Sequence, residues 1–179
     1  MKNLLVITMM LMSTMILHAQ QEVTRFLGIP VDGSKSEMIQ KLKGKGFRIS
    51  GEDMLEGEFN GEKVYLVVVV NNGKVWRIAV LDQTLRSETQ IKIRFNTLYR
   101  QFENNEKYVS AIGYTLSDTE DISYGITIEN KQYAAAFYQK PVTSMIQRMV
   151  WFTINKDIGG YNIAIYYDNL SNQANGEDL

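Results

Sequence analysis

Four glutamates, Glu56, Glu58, Glu62 and Glu129, fall close to strand turns. Two carboxylates facing each other across a sugar-binding cleft, about 5–10 Å apart, are the equipment of a glycoside hydrolase. Exposed acids at strand ends are the commoner outcome of this pattern, so a carboxylate-based hydrolase ranks third among the functions considered. Asp118, Glu120 and Asp121 place hard oxygen ligands in one short loop. Calcium needs about 6–8 oxygens in a defined loop, and the D-x-D-x-D-G spacing is missing, so the expectation is a solvated loop. The Glu177-Asp178 pair lies on a polar tail and is weaker still. Ser34 and Ser36 stand near lysines, as in a Ser-Lys dyad, but both are explained more simply by a helix start. Lys35, Lys41, Lys43 and Lys45 could gather an anion; a solvated face with cations at the helix carboxyl end is the ordinary reading. Gly44-Lys45-Gly46 follows that helix, whereas phosphate cradles precede one.

The strongest statement comes from two absences. The chain has no cysteine, and its one histidine is His18. His18 falls in a segment that reads as a leader, so the mature chain holds neither imidazole nor thiol. That removes Ser-His-Asp triads, thiol nucleophiles and the common zinc and copper sites. The expectations are a protein that is not an enzyme, with no cofactor and no metal.

Aromatic residues remain as candidate contact groups. Tyr138, Tyr161, Tyr166 and Tyr167 lie in predicted neighbouring strands, and exposed aromatics mark protein or carbohydrate contact surfaces. Alternation sends Tyr161 and Tyr167 to one face and Tyr166 to the other. Trp76 and Trp151 are expected in the core.

These groups need elements to hold them. Residues 1–19 carry Lys2, an apolar stretch from Leu4 to Leu17 and a small residue, Ala19, at the exit, as in a cleavable secretory signal. The apolar stretch is shorter than the roughly 20 residues of a membrane span. A periplasmic or secreted home follows as an expectation. With Lys2 removed from the 19 basic residues and all 20 acidic ones kept, the formal charge moves from −1 to about −2. That argues against nucleic acid or an anionic membrane as the main partner.

Residues 20–170 have the length of a single domain. Ser34 and Glu37 form a capping box ahead of the stripe Met38, Ile39 and Leu42, which predicts a helix. Strands are predicted over Leu55–Phe59, Lys63–Val70 and Lys74–Leu81, joined by Asn60-Gly61 and Asn71-Asn72-Gly73. Val64–Val70 is apolar on both sides, as in a central strand covered on both faces. A second helix is predicted over Ser87–Lys107, its apolar face formed by Ile91, Phe95, Leu98, Tyr99 and Phe102. Further strands are predicted over Ile122–Glu129, Gln132–Tyr138, Ile146–Asn155 and Tyr161–Tyr167, with 171–179 a loose polar tail.

The halves 27–82 and 87–168 rhyme. Gly57–Tyr65 sets beside Thr127–Tyr133, and Val75-Trp76-Arg77-Ile78 beside Val150-Trp151-Phe152-Thr153. The fold class expected is α+β, with two helices on one face of an antiparallel β-meander and a tandem α-β-β-β repeat closed by an extra strand.

The leader, the segment Phe26-Leu27-Gly28-Ile29-Pro30-Val31-Asp32-Gly33-Ser34 and the ending Tyr166-Tyr167-Asp168-Asn169 to Asn175-Gly176-Glu177-Asp178-Leu179 resemble a group of small exported proteins of Bacteroidales. That resemblance implies an envelope or extracellular location and no particular chemistry. The helix followed by a three-stranded meander, twice over, is similar to the beta-lactamase-inhibitor-protein type of fold. That likeness implies a protein-binding module whose contact surface is an exposed sheet face or its loops. The leading expectation is therefore an exported, non-catalytic module that binds a protein or peptide. The second is a binder of small molecules or glycans in a pocket between helices and sheet.

Overall fold

A computed structural model describes residues 23–51, 54–142 and 148–173 of the chain. The leader, the polar tail beyond Gln173, and Ile146 and Gln147 at the start of a predicted strand lie outside the described residues. The chain opens with a small hairpin, β1 (Arg25–Phe26) and β2 (Ile29–Pro30), closed by Leu27 and Gly28 at φ 50° and 81°. Helix α1 (Lys35–Lys43) follows, with the Ser34/Glu37 capping box formed as predicted. The chain then runs through β3 (Arg48–Ile49), β4 (Met54–Phe59), β5 (Glu62–Asn71) and β6 (Lys74–Asp82). Helix α2 (Glu88–Glu103) begins on a second capping box, between Ser87 and Gln90. After it come β7 (Tyr108–Ile112), α3 (Ile122–Thr127), β8 (Ala134–Gln139), β9 (Arg148–Asp157) and β10 (Gly160–Asn169).

Eight of these strands form one antiparallel sheet in the order β3-β4-β5-β6-β10-β9-β8-β7. The fold is α+β, with α1 and α2 on one side of it. Met38 and Leu42 of α1 and Ile91, Phe95, Leu98 and Phe102 of α2 join a single apolar core with the inward residues Val64, Leu66, Val68, Val150, Phe152, Ile163 and Ile165. Burial of a full Leu, Ile, Val or Phe side chain contributes about 1.5–3 kcal/mol, so this layer drives the fold. Three side chains of this layer stack in sequence, with the Phe102, Phe137 and Phe152 rings 4.9–6.3 Å apart.

The sheet reads outward from its central β6–β10 pair as β5 and β9, then β4 and β8, then β3 and β7. Each half is thus a helix followed by four strands, with α3 inserted in the second. The sequence alignment of the halves was out of step with this topology. Asn60-Gly61 turns the β4–β5 hairpin, but Thr127–Asn130 ends α3 and opens the loop that leads to β8. Trp76 lies in β6, whose counterpart is β10, whereas Trp151 lies in β9. The extra strand of each unit, β3 or β7, sits at an outer edge of the sheet instead of closing the chain.

Other expectations are corrected. Ile122–Glu129 is not a strand. Asp121 caps a helix turn by accepting from the Tyr124 amide at 2.8 Å. Ile122 and Gly125, three apart, are buried, while Tyr124 and Ile128 of the apparent apolar alternation are 52% and 62% exposed. The second helix stops at Glu103, four residues short of Lys107, and Tyr108–Ile112 forms an edge strand. The start of the predicted loose tail is tied down, since Leu170–Asn172 makes a 3₁₀ turn and Asn172 Nδ2 donates to Asp32 Oδ1 and the Val75 carbonyl at 2.8 and 2.9 Å.

Candidate functional site

With both long helices on one side, the other side of the sheet carries no described element. The register aligns residues there in rungs. One runs Val69, Arg77, Asp168, Met149, Tyr138 and Val109. The next runs Met54, Val67, Ala79, Tyr166, Trp151 and Ala136. Most of these side chains are half-buried by their own neighbours. Val64–Val70 is therefore covered on one side only: Val64, Leu66 and Val68 enter the core, and Tyr65, Val67 and Val69 belong to the open face.

A bulge organises the middle of that face. Val69 pairs with Arg77 and Val70 with Val75, leaving Trp76 as the extra residue. Val75 and Ile78 both point into the core. The bulge therefore turns Trp76 and Arg77 to the same, outer side, as bulges do when they re-aim side chains. The Arg77 guanidinium lies 4.3 Å from the Trp76 ring centre, 4.6 Å from Tyr166 and 5.4 Å from Trp151. Trp151 and Tyr166 stack at 4.3 Å. Beneath them, Asp168 is fully buried and accepts from Arg77 Nε and Nη2, both at 2.7 Å, and from the Trp151 indole N–H at 2.9 Å. The charges cancel and every ring is pinned. The face presents the aromatic cluster beside half-buried Ala136, while Ala79 and Ala164 on the same side are buried under their neighbours.

Of the four predicted contact tyrosines, Tyr138 and Tyr166 sit on this face. Tyr161 and Tyr167 do not: they point to the helix side and are buried. Tyr161 pairs with Arg86 through its backbone, and Tyr167 packs on Phe26 at 4.9 Å. Burial, and then the neighbouring Tyr108, pushes the Tyr167 phenol well above its ordinary range. Trp76 and Trp151, expected in the core, are the residues that sequence reasoning missed. The signal was present: Trp76 follows the Asn71–Gly73 turn, where bulges occur, and Trp151 shares its strand side with Met149, opposite to Val150 and Phe152.

Several of the acidic groups are engaged within the chain. Glu62 meets Arg86 at 2.7 Å and Arg94 at 3.8 Å, and both arginines also hold buried Asp82. In the 118–121 loop, the Lys92 ammonium donates to the Asp118 and Glu120 carbonyls at 2.7 and 2.9 Å, so the loop's cation is a side chain. Glu120 accepts from Lys131 and from the buried Tyr133 hydroxyl. Lys131 first, then Tyr133, holds the Glu120 carboxyl below its ordinary range. Burial, with Glu120 next, pushes the Tyr133 phenol up to about 12. Among the described residues no three His, Cys, Asp or Glu side chains group to hold a metal ion. No described helix is long and apolar enough to cross a membrane.

Comparison with known proteins found no family model, no curated protein and no solved structure that matches the chain.

Proposed function

We propose that the chain is an exported, non-catalytic binding module that holds a protein or peptide against the open face of its sheet. The observation that carries this reading is the Trp76–Arg77–Tyr166–Trp151 group, fixed from below by Asp168. Tryptophan, tyrosine and arginine dominate the energetic centres of protein interfaces. Side chains already locked in one arrangement lose little freedom on binding, which favours affinity. The size is adequate. Strands of 9–10 residues in the middle of the sheet reach about 30 Å, and the intervals between its eight strands, at about 4.8 Å each, span a similar width. That is roughly 900 Å², near the ~800 Å² per partner of a standard interface. The export reading rests on residues 1–19, and the non-catalytic reading on the lack of cysteine and the confinement of histidine to position 18.

The test is affinity capture from the native envelope fraction with the mature protein and with Trp151→Ala/Tyr166→Ala. One stoichiometric protein should come down with the first and fall at least tenfold with the second, at unchanged far-UV circular dichroism. Equal capture by both would overturn the reading. Capture of no protein, with a glycan-induced thermal shift that the double variant abolishes, would replace the protein partner by a carbohydrate.

A further inference from the structure

The helix side of the sheet holds a second feature, separate from the aromatic face. Two cavities of about 340 and 540 Å³ meet at Leu27, Phe59, Tyr108 and Tyr167, between the β1–β2 hairpin, the turn after α2 and the ends of β8–β10. Their character differs. The smaller is walled by Leu98, Phe102 and Phe59, with Glu58 and Gln101 among its polar residues. The larger is lined by Arg25, Lys107, Lys140 and Arg148, with no carboxylate among the described residues of its lining.

Arg148 is the telling residue. It belongs to the inward side of β9, in step with Val150, Phe152 and Ile154, and is only 5% exposed. Its Nε has no hydrogen-bond partner among the described residues. Among the described residues its two terminal nitrogens reach only the Pro141 carbonyl and Gln139 Oε1, each at a long 3.4 Å. Gln139 Oε1 also accepts from the Arg25 amide at 2.8 Å, so it is shared. A buried guanidinium without a carboxylate is costly unless an anion meets it. Burial, and then the Arg25 charge, draws the Arg148 guanidinium below its ordinary range, as expected of a cation short of a counter-charge.

We propose that this paired cavity binds a small monocarboxylate with an apolar tail, the carboxylate meeting Arg148 and the tail lying along Leu98, Phe102 and Phe59. A guanidinium fork suits a planar carboxylate. Lys107 and Lys140, both exposed at the lining, steer the anion in. The volumes fall in the range of small-molecule sites. The proposal is independent of the sheet face, which lies on the other side of the sheet.

Calorimetric titration of the mature protein with decanoate, decanol, acetate and inorganic phosphate tests it, alongside Arg148→Met and Lys107→Glu. Decanoate should bind at least tenfold more tightly than each of the other three. Arg148→Met should abolish decanoate binding while melting no lower than wild type, because an uncompensated buried cation is removed. Lys107→Glu, on the surface, should weaken binding several-fold with folding intact. Equal binding of decanol, or of phosphate, or full retention of decanoate binding by both variants, would overturn the proposal.

Discussion

Asp168→Ala removes the acceptor that holds Arg77 and Trp151 in the aromatic cluster, and its cost can be worked out. The buried carboxylate receives two bonds from Arg77 and one from Trp151. Breaking a buried ion pair by deleting one partner costs about 3–5 kcal/mol. The Arg77 side chain is 22% exposed, so water can reach the abandoned fork. Allowing for that screening lowers the expectation to about 2–4 kcal/mol. For a domain of this length each kcal/mol moves the melting temperature by about 2–4 °C, so a drop of roughly 4–16 °C is expected. The Arg77→Leu/Asp168→Leu pair should recover most of it, because apolar residues can replace a buried pair at little cost. Thermal and urea unfolding followed by circular dichroism measure all the forms. Near-ultraviolet dichroism reports whether the Trp151–Tyr166 stack survives. A loss below about 0.5 kcal/mol for Asp168→Ala, or a double variant whose loss equals the sum of the single ones, would refute the reasoning.

Other expectations follow from single contacts. Ser87→Ala removes the capping box of α2 and should cost about 1 kcal/mol in urea unfolding. A Cβ at Gly125 would stand 2.1 Å from the Tyr133 hydroxyl, so Gly125→Ala should cost about 1–3 kcal/mol, and adding Tyr133→Phe should relieve part of that loss. Tyr133 is raised from 10.0 to about 12, so its contribution is intact below the unfolded value and lost as pH climbs through the folded one; phenolate absorbance should show a late-titrating tyrosine that Tyr133→Phe removes. Glu120 is depressed, so its contribution is present above the ordinary carboxylate range and fades as pH falls through the lowered value. Glu120→Gln should flatten the acid limb of stability.

Local chemistry was legible where one residue pattern dictates one geometry. The Ser34/Glu37 and Ser87/Gln90 boxes started both long helices, and Asn60-Gly61, with Asn60 at φ 53° and Gly61 at φ 75°, turned the β4–β5 hairpin. What failed were readings that needed tertiary context. An apolar Val64–Val70 looked covered on both sides because periodicity cannot tell a second core from an uncovered apolar face. Ile122–Ile128 alternated like a strand, yet the Asp121 cap and the Tyr133 hydroxyl against Gly125 set a helical turn. Tyr108–Ile112 is mostly exposed at an edge, so its sequence carries little apolar pattern. Of the candidate site, Tyr138 and Tyr166 were two of four tyrosines named; alternation separated Tyr166 from Tyr161 and Tyr167 without saying which side is open, Trp76 needed the bulge, and Arg148 needed its parity with Val150 and Phe152 to be followed back into the core.

The open face is best interrogated where it stands, by a photo-crosslinking amino acid placed in the full-length protein in its native cells. At Ala136, beside Trp151 on the bare side of the sheet, the account predicts one discrete adduct with another protein; at Ile93, exposed on α2 at the opposite side, it predicts none. An adduct from Ile93 alone, or the same adduct from both positions, would contradict it.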